Sequence, residues 1–94
     1  MRNKVSYEWV AEETDEHGDI IEPWFGESLH EVLYCTMDSQ FKVRVALVRN
    51  EGNDEDGLQD RQYAYVVNGL LEPFDGGAMI PKRFFKEVHE IYNP

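Results

Sequence analysis

The chain has a single cysteine, Cys35, so no disulfide framework can staple it internally. It also has no run approaching the roughly 18 apolar residues of a membrane-spanning helix. Residues 1–13 carry Arg2 and Lys4 but no apolar stretch of the kind a signal peptide needs. A cytoplasmic chain without a membrane partner is expected. Basic residues are scarce as well: nine Lys and Arg stand against nineteen Asp and Glu, a net charge of −10 with histidines neutral. Only Lys82, Arg83 and Lys86 cluster, which argues against direct binding to nucleic acid. Repeats, low-complexity tracts and phosphate-binding glycine motifs are absent, so residues 1–94 are read as one domain. At 41% hydrophobic and 13% aromatic residues, the chain has enough apolar surface to build one small core.

Periodicity supplies the elements. From Lys4 to Glu13, Val5, Tyr7, Trp9 and Ala11 alternate with polar neighbours, the period of a half-buried strand. Asp15-Glu16-His17-Gly18-Asp19 is a turn, and Ile20-Ile21 restart a strand in which Pro23 tolerates only an edge or terminal place. Ser28 with Glu31 has the form of a capping box, and Leu29, Val32, Leu33, Thr36 and Met37 follow at helical spacing. Phe41, Val43, Val45 and Leu47 mark the clearest strand, expected to be central, with Lys42, Arg44, Ala46 and Val48 on its second face. The acidic segment 50–57 reads as an exposed loop. A strand over 61–67 leads through Asn68-Gly69, a two-residue hairpin turn, to Leu70-Leu71. Pro81 opens a last helix with Phe84, Phe85, Val88, Ile91 and Tyr92 on one face. The order β-β-α-β-β-(β)-α predicts an α+β domain, a small antiparallel sheet of four to five strands packed by two helices.

Catalytic and metal patterns were each weighed against ordinary surface chemistry. His30-Glu31 begins like a zinc-protease helix, but Tyr34 stands where the second histidine belongs. Asp54, Asp56 and Gly57 suggest a calcium loop whose first and last ligand positions fall on Gly52 and Tyr63, so neither end can coordinate. Cys35 lies late in the first helix beside Glu31 and Asp38, in surroundings that disfavour a thiolate, and reads as a partly buried small side chain. No cofactor, no metal and no enzymatic activity are expected.

Charge patterning exceeds background. Seven carboxylates lie between Glu8 and Glu22 with no Lys or Arg among them, and five more between Glu51 and Asp60. If a sheet brought both tracts to one rim, their field would steer cationic partners and imitate a stretch of nucleic-acid backbone. The candidate partner-binding residues are Glu12, Glu13, Asp15, Glu16, Asp19, Asp54, Glu55 and Asp56, with Trp24 and Phe25 as apolar anchors. The competing readings are a structural or dimeric accessory module whose acidity serves solubility only, and a small hydrolase relying on His30 or Cys35.

Three stretches carry a resemblance: Trp9-Val10 with 15–21, Asp56-Gly57-Leu58 with 60–66, and Phe74-Asp75-Gly76-Gly77 with Pro81-Lys82-Arg83-Phe84. Together they resemble small uncharacterised proteins of bacterial phages and mobile elements. In size and charge the chain is similar to anti-CRISPR proteins, without the diagnostic motif of any one family. The resemblance implies a phage or mobile-element setting rather than a mechanism; with the charge pattern, the expected protein is non-enzymatic, in the host bacterial cytoplasm, and monomeric or homodimeric. Its partner would be a basic surface of a host protein or nucleoprotein defence complex.

Overall fold

The computed structural model describes residues 3–53 and 58–94. Its elements are β1 (Asn3–Thr14), β2 (Ile20–Gly26), α1 (Leu29–Thr36), β3 (Lys42–Asn53), β4 (Leu58–Val67), β5 (Leu70–Leu71) and α2 (Lys82–Tyr92). The strands form one antiparallel sheet in the order β2-β1-β3-β4-β5, an α+β arrangement with β3 in the centre. The predicted element order holds. Segment 50–53 departs from it: β3 runs through Asn53, so the expected loop is strand as far as that residue, and Asp54 to Gly57 lie outside the described residues.

Strict alternation divides the sheet into two faces. Trp9, Ala11, Val45, Leu47 and Ala64 point to one side and meet Leu29 and Val32 of α1, Phe84 and Val88 of α2, and Phe74. Both helices therefore cover the same face. Burying a residue of this size contributes about 1.5–3 kcal/mol, which makes Trp9, Leu29, Leu47 and Val32, all fully buried, the main source of cohesion. The polar ends inside this layer are satisfied by one side chain. The Glu87 carboxylate accepts from Trp9 Nε1 at 3.1 Å and from the Leu29 backbone N–H at 2.7 Å, tying α2 to β1 and to the start of α1.

Local chemistry sets the boundaries. Ser28 Oγ accepts from the Glu31 N–H at 3.2 Å, and the reciprocal Glu31 carboxylate bond falls on the Glu27 N–H at 3.3 Å, one residue before the expected cap. Gly26 lets α1 approach β2: a Cβ there would stand 3.0–3.1 Å from Glu31 and Val32 side-chain atoms. Asn68 and Gly69 both take positive φ, as a two-residue turn requires. Two helical faces differ from their expectation. Met37 caps α1 in the open rather than joining its apolar stripe, and Phe85 and Tyr92 stay exposed because α2 turns only Phe84 and Val88, with half-buried Ile91, onto the sheet.

Candidate functional site

The helix-free face of the sheet carries Val10, Ala46 and Val48, all fully buried although no helix lies over them. Their cover comes from the sheet itself. Tyr63 and Tyr65 pack on them from β4 with rings 6.0 Å apart, and Arg44 sits 4.6 Å from the Tyr65 ring centre. Arg61 of β4 lies 5.9 Å from the ring of Phe25 on β2, three strands away with β1 and β3 between, a reach that the twist and curl of the sheet make possible. Glu12 is 6% exposed on this face and its Oε1 pairs with Arg44 Nη2 at 3.1 Å. Glu8 accepts from Asn50 Nδ2 at 3.1 Å. The face is closed over by its own side chains.

The sequence-predicted site residues separate accordingly. Trp24 and Phe25, expected as one anchor, point to opposite faces because they are consecutive in a strand: Trp24 pairs with Ala11 on the helix side, Phe25 with Val10 on the other. Trp24 is half-buried and donates its indole N–H to Glu13 Oε1 at 2.7 Å. Glu13 Oε2 accepts from Ser39 Oγ at 2.8 Å, so this carboxylate clamps β1, β2 and the α1–β3 connection. Glu12 and Glu13 are thus engaged inside the molecule. Asp15 builds the β1–β2 turn, accepting on Oδ1 from the His17 and Asp19 N–H groups, each at 2.9 Å. Of the described acidic candidates, Glu16 and Asp19 are exposed.

The described residues place the strand ends that border the two acidic tracts far apart. Thr14 pairs with Lys42 at one end of the β1–β3 ladder and Asn3 with Asn53 at the other, eleven residues apart, which is about 37 Å of extended chain. The β1–β2 turn follows Thr14, whereas the ends that bracket segment 54–57, Asn53 and Leu58, lie at the far end. Asp54, Glu55 and Asp56 themselves are outside the described residues.

The charge has a different geography. Between Val5 and Phe41 there are ten carboxylates and no Lys or Arg, and this segment comprises most of β1, then β2 and α1, the edge of the sheet and the helix packed beside it. On the same side, the outer face of α1 bears Tyr34, 76% exposed, and Met37, 67% exposed, beside a shallow depression of about 580 Å³ that His30 and Glu31 also line. Phe41, 50% exposed, borders a second depression of about 480 Å³ together with Asp15 and Glu16 of the acidic turn and with Lys42. Cys35 is exposed on α1, not partly buried. Met37 and Phe41 were missed because a hydrophobic residue at helical or strand spacing reads as core, whereas Tyr34 already falls off the apolar stripe of α1 by spacing and was the available signal.

His17, His30 and His89 are on separate elements and exposed, and no group of three His, Cys, Asp or Glu side chains among the described residues is placed to hold a metal ion. No protein-family model matches the chain, and no curated protein or solved structure is significantly similar to it.

Proposed function

We propose that this chain is a non-enzymatic binding protein that takes a cationic partner on the side formed by β1, β2 and α1. The observation that carries the reading is the segregation of charge: ten carboxylates and no cation from Val5 to Phe41, in a chain whose net charge is −10. An excess of negative charge on this segment raises the local concentration of oppositely charged partners and speeds encounter, with Arg44, Arg61 and Arg83 reaching Glu12, Phe25 and Tyr7 from neighbouring elements. Under the resemblance to phage and mobile-element proteins, the partner is a basic surface of a host protein or nucleoprotein complex, which the bound chain would deny to nucleic acid. Glu16 and Asp19 serve this role, whereas Glu12 and Glu13 hold the sheet together.

The test is a titration of the intact protein with a lysine-rich 20-residue peptide at low and at high salt. The triple reversal Glu16→Lys, Asp19→Lys, Asp38→Lys should weaken binding tenfold or more at low salt. The matched reversal Glu72→Lys, Asp75→Lys, Glu90→Lys on the opposite side, equal in total charge, should weaken it much less. Equal losses would leave the acidity as a general solubility device.

A further inference from the structure

We infer that the docking place on this side is the outer face of α1, and that the segment it receives is a cationic amphipathic helix. The inference rests on the reading just given and narrows it to one surface and one kind of partner. Tyr34 and Met37 are three residues apart and so lie on one face of α1, opposite Leu29, Val32 and Thr36, which are spent on the sheet. Both are far more exposed than their chemistry favours. A flexible thioether beside an aromatic ring makes a surface that repacks around varied apolar side chains, the usual way a groove takes the apolar stripe of a helix.

The surroundings supply the complementary charge. Glu27 and Glu31 flank the start of this face and Asp38 its end. The last turn of α1 has no basic residue, so the negative end of the helix dipole at Thr36 and Met37 is left without a cation of its own element. An apolar stripe rimmed by carboxylates fits a partner with leucine-like residues on one side and lysines or arginines along its borders. Symmetric pairing with α1 of a second copy fits less well at the same place, because the charged residues of 27–38, Glu27, Glu31 and Asp38, are all acidic.

The experiment uses two synthetic 14-residue leucine–lysine peptides of identical composition, one with leucines at helical spacing and one permuted to destroy that stripe. The intact protein should bind the first at least tenfold more tightly than the second. Tyr34→Gln and Met37→Gln together, which leave the charge unchanged and sit on exposed positions, should abolish that preference while far-UV circular dichroism stays as in the parent. Met79→Gln, equally exposed on the other side of the molecule, should keep it. If both peptides bind alike, or the α1 double variant retains the preference, the docking place is wrong although the charge reading survives. If neither peptide binds at low salt, both fall. Light scattering that returns twice 11.0 kDa for the parent and 11.0 kDa for the α1 variant would make a second copy the occupant and overturn the inference.

Discussion

At the residue scale, the carboxylates divide into those that hold the fold together and those that face outward, and the division follows from hydrogen bonding rather than from position in the chain. Glu13 accepts from Trp24 Nε1 and Ser39 Oγ, and Glu87 from Trp9 Nε1 and the Leu29 N–H. Removing either acceptor strands part-buried donors, which costs about 1–3 kcal/mol, so Glu13→Ala and Glu87→Ala should each lower the urea midpoint clearly. Glu16→Ala, fully solvated, should stay within about 0.5 kcal/mol of the parent. Alkaline pH tests a different pair. Burial pushes the Tyr65 phenol above its usual value, with Glu12 adding in the same direction and Arg44 opposing; burial alone pushes up Tyr92. Folded pKa values above the unfolded ones mean that the native state keeps its phenol protons longer. Stability is then intact below the usual tyrosine value near 10 and declines as pH rises past it. Tyr65→Phe should flatten that decline in thermal melts taken between pH 9 and 11. None of these assignments was legible beforehand: Glu12, Glu13 and Glu16 look alike in a sequence, and only the register decides which meets Arg44, which meets Trp24 and which meets water.

At the element scale, most of the architecture could be read in advance because each strand and helix states its own period. The Ser28 cap, the Asn68-Gly69 turn and the alternation from Val5 to Ala11 are local signals, and the elements follow them. Ser28→Ala should therefore cost about 1 kcal/mol in unfolding free energy, measurable by urea titration. Gly26 marks where local reading stops. No turn or cap announces it, yet the 3.0 Å distance from its ideal Cβ to Glu31 Cδ sets how closely α1 lies against β2. Gly26→Ala should force Val32 or the Glu31 side chain to shift and lower the melting temperature; an unchanged melt would show that α1 has slack there. The outward turn of Met37, Phe85 and Tyr92 belongs to the same limit. A helical stripe wider than the surface available to it leaves its margins in solvent, and sequence spacing does not give the width of the receiving sheet.

At the scale of the whole molecule, pairing decided what composition could not. Two acidic tracts are visible in the sequence, and they look able to share one rim so long as the strands are imagined as successive hairpins. The β1–β3 pairing joins segments about 40 residues apart in sequence, and it sends the β1–β2 turn to one end of the ladder and the ends of β3 and β4 at Asn53 and Leu58 to the other. What remains is a net excess of carboxylates on the segment from Val5 to Phe41, with Glu13 and Glu22 placed directly opposite each other across β1 and β2. Like charges in that relation destabilise by a few tenths to about 1 kcal/mol, and their neighbours in the same segment add repulsion over a Debye length. That length falls from about 30 Å at 10 mM salt to about 8 Å at 150 mM, so raising salt across this range should raise the melting temperature. Glu22→Lys should raise it further at 10 mM and much less at 150 mM, because it turns the cross-strand repulsion into attraction and does the same to the conflict with Asp19 and Glu27 nearby in the chain. Glu72→Lys, the same change of charge just after β5, should do less at low salt. A melting temperature that falls with salt, or that responds equally to both reversals, would mean that attractive pairs such as Arg44–Glu12 and Arg49–Glu51 outweigh the repulsion along β1, β2 and α1, and that this side exerts no net field on its surroundings.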